Sequence, residues 1–235
     1  MKIETIKNEF GIDINDSDKN RLEKFIELFQ AYNAHTNLMS KNDLNVIYEK
    51  HIFDSLAIGK FFNQKKIEKI KLLDIGTGGG FPSIPISIVY PHIKVYAVDS
   101  IKKKISFIES AKSELDLNNL CPICARVEDL NIVMKESFDI VTSRAVADLN
   151  VILEYAVPYL KVGGYFIAYK SKIADIELSN AKRAFEVLGA EFDTKIEYNL
   201  PLTEHHQRVL IIIKKIKKTP LIYPRENGLA KKNPL

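Results

Sequence analysis

The stretch "KLLDIGTGGGFPSIP", Lys71 to Pro85, runs an apolar strand pattern into a cluster of glycines and then into an apolar helical pattern. Such a strand–loop–helix unit cradles a nucleotide-like ligand, either a dinucleotide or S-adenosylmethionine. The dinucleotide fingerprint is G-x-G-x-x-G, whose third glycine allows close helix–strand packing. Counted from Gly76, Gly78 fits, but the third place holds Phe81. The run is instead Asp74, Gly76, Gly78, Gly80, an acid followed by alternating glycines. Glycines at these places let the backbone reach a ligand and adopt positive φ. The pattern suits the carboxypropyl arm and ribose of S-adenosylmethionine, which carries no pyrophosphate. Pro82 falls at an early helical position, where its missing N–H is harmless.

Downstream, strand patterns (71–75, 94–98, 121–127, 138–142, 165–169, 208–214) alternate with helical ones (82–90, 102–115, 149–160, 176–188). This alternation implies a parallel sheet covered by helices on both faces. Near the end, "DTKIEYNLP" leads directly to "QRVLIIIKK". A parallel crossover needs a dozen or more residues, so an antiparallel strand ends the pattern. The second strand closes with Asp99, whose carboxylate can accept hydrogen bonds from both ribose hydroxyls. Val127 and Glu128 follow the third strand, where an adenine would meet an apolar contact and a hydrogen-bonding edge. The fourth strand ends in Arg144, directed at the crevice where ligands bind in open α/β sheets. Two motifs are missing there: the Asn-Pro-Pro-aromatic run of adenine-directed amine methylation and the nucleophilic cysteine of cytosine C5 methylation.

Residues 1–65 read as a helical extension packed on the core. "SDKNRLEKFIELFQAYNAH" offers Ser17 or Asp18 as N-cap and an apolar side of Leu22, Phe25, Ile26, Leu28 and Phe29. "LNVIYEKHIFDSLAIGKFF" reads as a second helix, with His51 and Asp54 three apart on one face, suited to a hydrogen bond tying the extension to the core. Residues 66–217 form the catalytic domain and 218–235 a basic tail. From Lys214 onward seven cations face only Glu226, a segment of +6 on a remainder of −2. Such asymmetry suggests a polyanionic partner. No run of about 18 apolar residues is present, and the first residues lack the pattern of a secretory signal, so a cytoplasmic protein is expected. "CPIC", Cys121 to Cys124, lacks a second ligand pair for zinc. These cysteines are expected in the core. His205 and His206 read as loop residues, and no metal site is expected.

"TNLMS", "KHIFDS", "DIGTGGGFPSIP", "SRAVADLN" and "TPLIYPRENGLAKKNPL" together resemble the RsmG (GidB) family, which methylates guanine N7 in bacterial small-subunit ribosomal RNA. The resemblance covers nearly the whole chain. It implies a Rossmann-like, S-adenosylmethionine-dependent methyltransferase fold with a mostly parallel seven-stranded sheet, an antiparallel last strand and an N-terminal helical extension. It implies cofactor contacts at Gly76, Phe81, Val127, Glu128 and Arg144, with Asn37 and His51 bordering the site. Family loops often carry proline where Gly79 stands and glycine where Ser83 stands; the backbone path is expected to survive both.

The expected chemistry is simple. Guanine N7 presents a free lone pair, so it needs alignment with the methyl group and no general base. Arg144 is the candidate catalytic residue. Arg126, Lys170 and Arg208 are the candidate RNA-binding rim, with Arg126 and Arg144 expected at the ends of neighbouring strands. The partner implied is 16S ribosomal RNA or the small ribosomal subunit, engaged by a monomer. Alternatives are the same cofactor acting on another RNA or a small molecule, a dinucleotide enzyme, or a non-enzymatic RNA-binding module.

Overall fold

A computed structural model describes residues 3–65, 70–171, 174–202, 207–226 and 228–235. His205 and His206 lie outside the described residues. The chain opens with helices α1 (Ile3–Phe10) and α2 (Asp16–Thr36). The cap of α2 is Asn15, whose side chain accepts from the Asp18 N–H at 2.9 Å while its amide donates back to the Asp18 carboxylate. The helix thus starts ahead of Ser17 and Asp18, because the Asn15 side chain caps the Asp18 N–H and is itself held by the Asp18 carboxylate. Leu22, Phe25 and Phe29 on its inner stripe are fully buried.

The segment expected as one helix over 44–62 is broken. It comprises α3 (Lys41–Leu44), a π-helical turn (Tyr48–Ile52), α4 (Phe53–Leu56) and α5 (Gly59–Lys65). Close packing at the last break leaves no room at Gly59, where a Cβ would lie 2.5 Å from Ile12 and 2.7 Å from the Tyr90 hydroxyl.

Then come β1 (Lys71–Ile75), α6 (Ser83–Val89), β2 (Lys94–Asp99), α7 (Lys102–Glu114), β3 (Leu120–Cys124) and β4 (Phe138–Arg144). They are followed by α8 (Leu149–Ala156), β5 (Leu160–Lys170), α9 (Ala174–Asn180), α10 (Lys182–Leu188), β6 (Ala190–Asn199), β7 (Gln207–Lys215) and α11 (Leu229–Lys232). The sheet order is β3-β2-β1-β4-β5-β7-β6. The first five strands run parallel, and β7 pairs antiparallel with both β5 and β6. The last strand of the chain is antiparallel as expected, and it inserts between β5 and β6 rather than lying at the edge.

Alternation along each strand sends neighbours to opposite cores. Leu72 and Ile140 meet α1, α2 and α4 to α7 on one face, while Leu73 and Val141 meet α8 and α10 on the other. Residues 3–65 therefore share a core with the sheet. The cysteines do not enter it: Cys121 is half-buried and Cys124 exposed, because β3 is an edge strand covered by one neighbour only.

The basic C-terminal segment is docked rather than free. The Arg225 guanidinium forks onto the Glu154 carboxylate of α8 at 2.8 and 2.6 Å, and its backbone N–H adds a third bond. Lys135 Nζ holds the carbonyls of Leu221 and Tyr223. Among the described residues no helix is long and apolar enough to cross a membrane.

Candidate active site

β1 delivers the chain into a loop in which Gly76, Gly78 and Gly80 have φ of 70°, 59° and 88°, values a side chain would oppose. Gly79 differs. Its constraint is space, since a Cβ there would lie 2.3 Å from the Phe29 ring of α2. The glycine in the family's proline position therefore lets the N-terminal helices close over the loop. Ser83 is fully buried and hydrogen-bonds the Thr77 hydroxyl, so it braces the loop from inside and does not crowd the ligand side.

Two cavities meet at this loop, sharing Gly76 and Ala145. The smaller, about 370 Å³, lies at the ends of β1, β2 and β3 and is lined by Asp99, Ile101, Arg126, Val127, Glu128, Val146 and Tyr155 among others. Asp99 takes the Gly78 N–H at 3.1 Å and the Ile101 N–H at 2.9 Å, with Lys104 at 3.2 Å. Val146 packs directly over Gly76, and Ala145 beside it has a left-handed φ of 56°. A kinked wall thus stands between the cavities.

The larger cavity, about 520 Å³, is lined by the loop itself, Phe81, Arg144, Tyr169, Lys170 and Arg208, and by Leu38, Met39, Ser40, Asp43, Lys50, His51 and Asp54 from the helical extension. Arg144 is its centre. Nη1 donates to Asp54 Oδ2 at 3.1 Å, Nη2 lies 3.0 Å from His51 Nδ1, and the guanidinium sits 5.4 Å over the Phe81 ring. Asp54 Oδ1 accepts from the Tyr198 hydroxyl at 2.6 Å, and Arg208 Nε approaches it at 3.8 Å. Burial pushes the Tyr198 hydroxyl far above its ordinary pKa, so it stays a donor. Burial, reinforced by the Arg144 charge, drives His51 down to about 3 and keeps it neutral. Asp43 at the mouth is held below the usual carboxylate range by a hydrogen bond from Lys50.

The residues expected from the sequence separate into three groups. Gly76, Gly78, Phe81, Arg144, Lys170 and Arg208 converge on the larger cavity, and Gly76, Asp99, Arg126, Val127 and Glu128 on the smaller. Asp74 lines neither. It is fully buried beneath the loop, takes the Thr142 hydroxyl at 3.0 Å, and is pushed up to about 6 by burial. Arg126 does not neighbour Arg144: β2 and β1 stand between β3 and β4, and Arg126 opens onto the other cavity. Lys170 is tied to Glu177 and to the Ala147 carbonyl, both at 2.6 Å, which braces the loop after β4. His51 and Asp54 do link the extension to the core, through Arg144. Asn37 instead forms the left-handed C-cap of α2 and leaves the wall to the three residues after it. The sequence did not reveal Tyr198, which reaches Asp54 across 144 positions. Nor did it assign a role to Ser40, Asp43 or Lys50, although Ser40 ends "TNLMS" and Lys50 opens "KHIFDS".

Among solved structures, M. jannaschii TYW2 in complex with AdoMet superposes with a TM-score of 0.54 at 18% identity, over 66% of this chain and 76% of that one. A mutant of the 16S rRNA (adenine(1408)-N(1))-methyltransferase from Catenulisporales acidiphilia gives 0.53 at 12%, over 68% and 92%. These place the fold. Sequence relatives go further. The Ribosomal RNA small subunit methyltransferase G of Lysinibacillus sphaericus is 40% identical over 99% of this chain and 97% of its own length. That of Acetivibrio thermocellus is 38% identical over 96% and 92%. The family model described as GidB, rRNA small subunit methyltransferase G, matches residues 18–209, so the glycine loop, the Arg144 clamp and the strands that carry them all fall within the match. With relatives this similar along nearly its whole length, the chain belongs to that family of small-subunit ribosomal RNA methyltransferases.

Proposed function

We propose that this protein moves a methyl group from S-adenosylmethionine to N7 of a guanine in 16S ribosomal RNA. The smaller cavity suits the nucleoside part of that donor: Asp99 offers a carboxylate for ribose hydroxyls, and Ile101, Val127 and Val146 offer apolar surface for a flat ring beside the Glu128 carboxylate. Its volume lies in the range of small-ligand sites. Gly76 and Gly78 open the backbone toward the larger cavity, where the reacting groups meet. When bound, the sulfonium supplies an electrophilic methyl carbon.

The observation that carries the acceptor assignment is the state of the titratable groups around Arg144. His51 gives its Nδ1 lone pair to Arg144, Asp54 is occupied by Arg144 and Tyr198, and Asp43 is held by Lys50. None of the three is poised as a general base. A nucleophile that arrives already unprotonated needs none, and guanine N7 is one. Arg144 instead positions the base, and Arg208 and Lys50 at the cavity wall suit nearby phosphates. The buried Asp74 shapes the loop from below and does not touch the donor.

The test has two parts. Calorimetry should show binding of S-adenosylmethionine and none of NADH. Ribosomal RNA from cells lacking the protein should lose one N7-methylguanine in the small subunit and regain it on complementation. Methylation restored at another atom or in another RNA would overturn the acceptor and leave the donor standing.

A further inference from the structure

His51 has one ring nitrogen in use and one idle. A guanidinium has donors only, so the 3.0 Å contact from Arg144 Nη2 must be accepted by the Nδ1 lone pair. The ring's single proton then sits on Nε2. That nitrogen is buried and has no hydrogen-bond partner among the described residues, although the ring lines the larger cavity. Charged groups around the ring are Arg144 on β4, Arg208 on β7, Asp43 on α3 and Lys50 on its own turn, with the Phe81 ring 5.3 Å away. A buried N–H without an acceptor is unfavourable. Because His51 lines the larger cavity, a ligand seated there is the remaining source of an acceptor for that N–H.

Beside N7, guanine carries the O6 acceptor, whereas adenine carries an amino donor. Arg144 and His51 Nε2–H are both donors, and the Asp54 oxygens beside them are already taken by Arg144 and Tyr198. We propose that His51 Nε2–H donates to O6 of the purine methylated at N7, and so selects guanine against adenine. This rests on guanine N7 being the acceptor.

The test uses RNA fragments spanning the site methylated by the wild-type protein, made with guanine or with 2-aminopurine, which keeps N7 and lacks O6. Wild type should favour guanine by about 30-fold in kcat/KM, the scale of one buried donor left without its acceptor. His51→Asn keeps an acceptor for Arg144 at the δ position and removes the ε donor. Its turnover of guanine should fall about 30-fold while 2-aminopurine is unchanged, bringing the ratio near one. His51→Gln retains an ε donor and should recover part of the preference. A wild-type ratio surviving in His51→Asn, or an equal loss on both fragments, overturns the proposal. If that variant does not fold, the ¹⁵N-coupled Nε2 proton of native protein should shift with the guanine fragment alone, and an unmoved resonance overturns it equally. No transfer to guanine by wild type would instead bring down the acceptor assignment beneath it.

Discussion

Two arginine–carboxylate pairs, carried by helices on opposite faces of the sheet, use the same chemistry to different ends. In the tail pair, both oxygens of the fully buried Glu154 are taken by the single guanidinium of Arg225, whose Nη2 also reaches the Asn233 carbonyl. That pair is closed. In the cavity pair, Asp54 divides its oxygens between Arg144 and Tyr198, and Arg144 divides its nitrogens between Asp54 and His51. Arg208 Nε and His51 Nε2 are left buried without hydrogen-bond partners among the described residues. A closed fork locks structure, whereas an open network of donors retains capacity for a ligand. The contrast locates function more sharply than charge does, since the more basic segment holds the closed pair.

The largest effect should come from opening the cavity pair. Arg144→Ala is expected to lower kcat/KM for methyl transfer about a thousandfold, or about 4 kcal/mol, the scale of removing one aimed donor at a reacting centre. Circular dichroism should still report a folded protein. Near-normal turnover would mean the open network has no part in catalysis. Breaking the closed pair should do the reverse. Glu154→Gln leaves Arg225 without its buried counter-charge and should cost about 3 kcal/mol of stability, lowering Tm by roughly 9 °C for a chain of this size. Turnover below the new transition should stay within about twofold.

How much of this contrast was legible in the sequence follows from range. The alternation of elements is a local pattern, and it was read correctly as a parallel sheet with an antiparallel final strand. The partition of the cations was not legible. Arg126 follows β3 and Arg144 ends β4, strands that are consecutive in the chain but have two strands between them in the sheet, because the order reverses at β1. The two arginine pairs join residues 90 and 71 positions apart, and no periodicity carries that information. The helix over 44–62 failed for a related reason. A continuous apolar pattern hid the π-helical turn that carries His51 and the break before Gly59, both set by packing against other elements. Gly79 was expected only to leave the backbone path intact, and it also serves close approach to Phe29.

A smaller effect should separate His51 from the buried acid nearby. The folded-state pKa of His51 is about 3 against an ordinary 6.5, so its contribution to stability is complete above about 6.5 and is lost as pH falls toward 3. Asp74 runs the other way. Raised from 3.8 to about 6, it contributes fully below 3.8 and loses that contribution as pH rises through 6. The two slopes oppose each other in wild type between pH 4 and 6. Subtracting the urea-unfolding free energy of His51→Gln, which retains Asp74, isolates the histidine. The difference should grow by about 1 kcal/mol from pH 5 to pH 6 and flatten above pH 7. A difference independent of pH would show that His51 is not held neutral.

The smallest effect tests what remains of the tail once Arg225 is set aside. Lys217, Lys218, Lys231 and Lys232 are exposed, whereas Lys215 is fully buried against the Val157 and Leu160 carbonyls and beside Glu136. The exposed four are better placed than the half-buried Lys214 to displace counterions from RNA. Replacing them with glutamine should weaken RNA binding at moderate salt by about fivefold and reduce the slope of log K against log salt by up to about 0.7 for each lysine that meets a phosphate. Arg225→Gln, measured at a temperature where it stays folded, should leave that slope unchanged, because its charge is already neutralised by Glu154. A slope that falls with Arg225 and not with the lysines would mean the closed pair opens to meet RNA, and the distinction between the two pairs would fail at the point where it is sharpest.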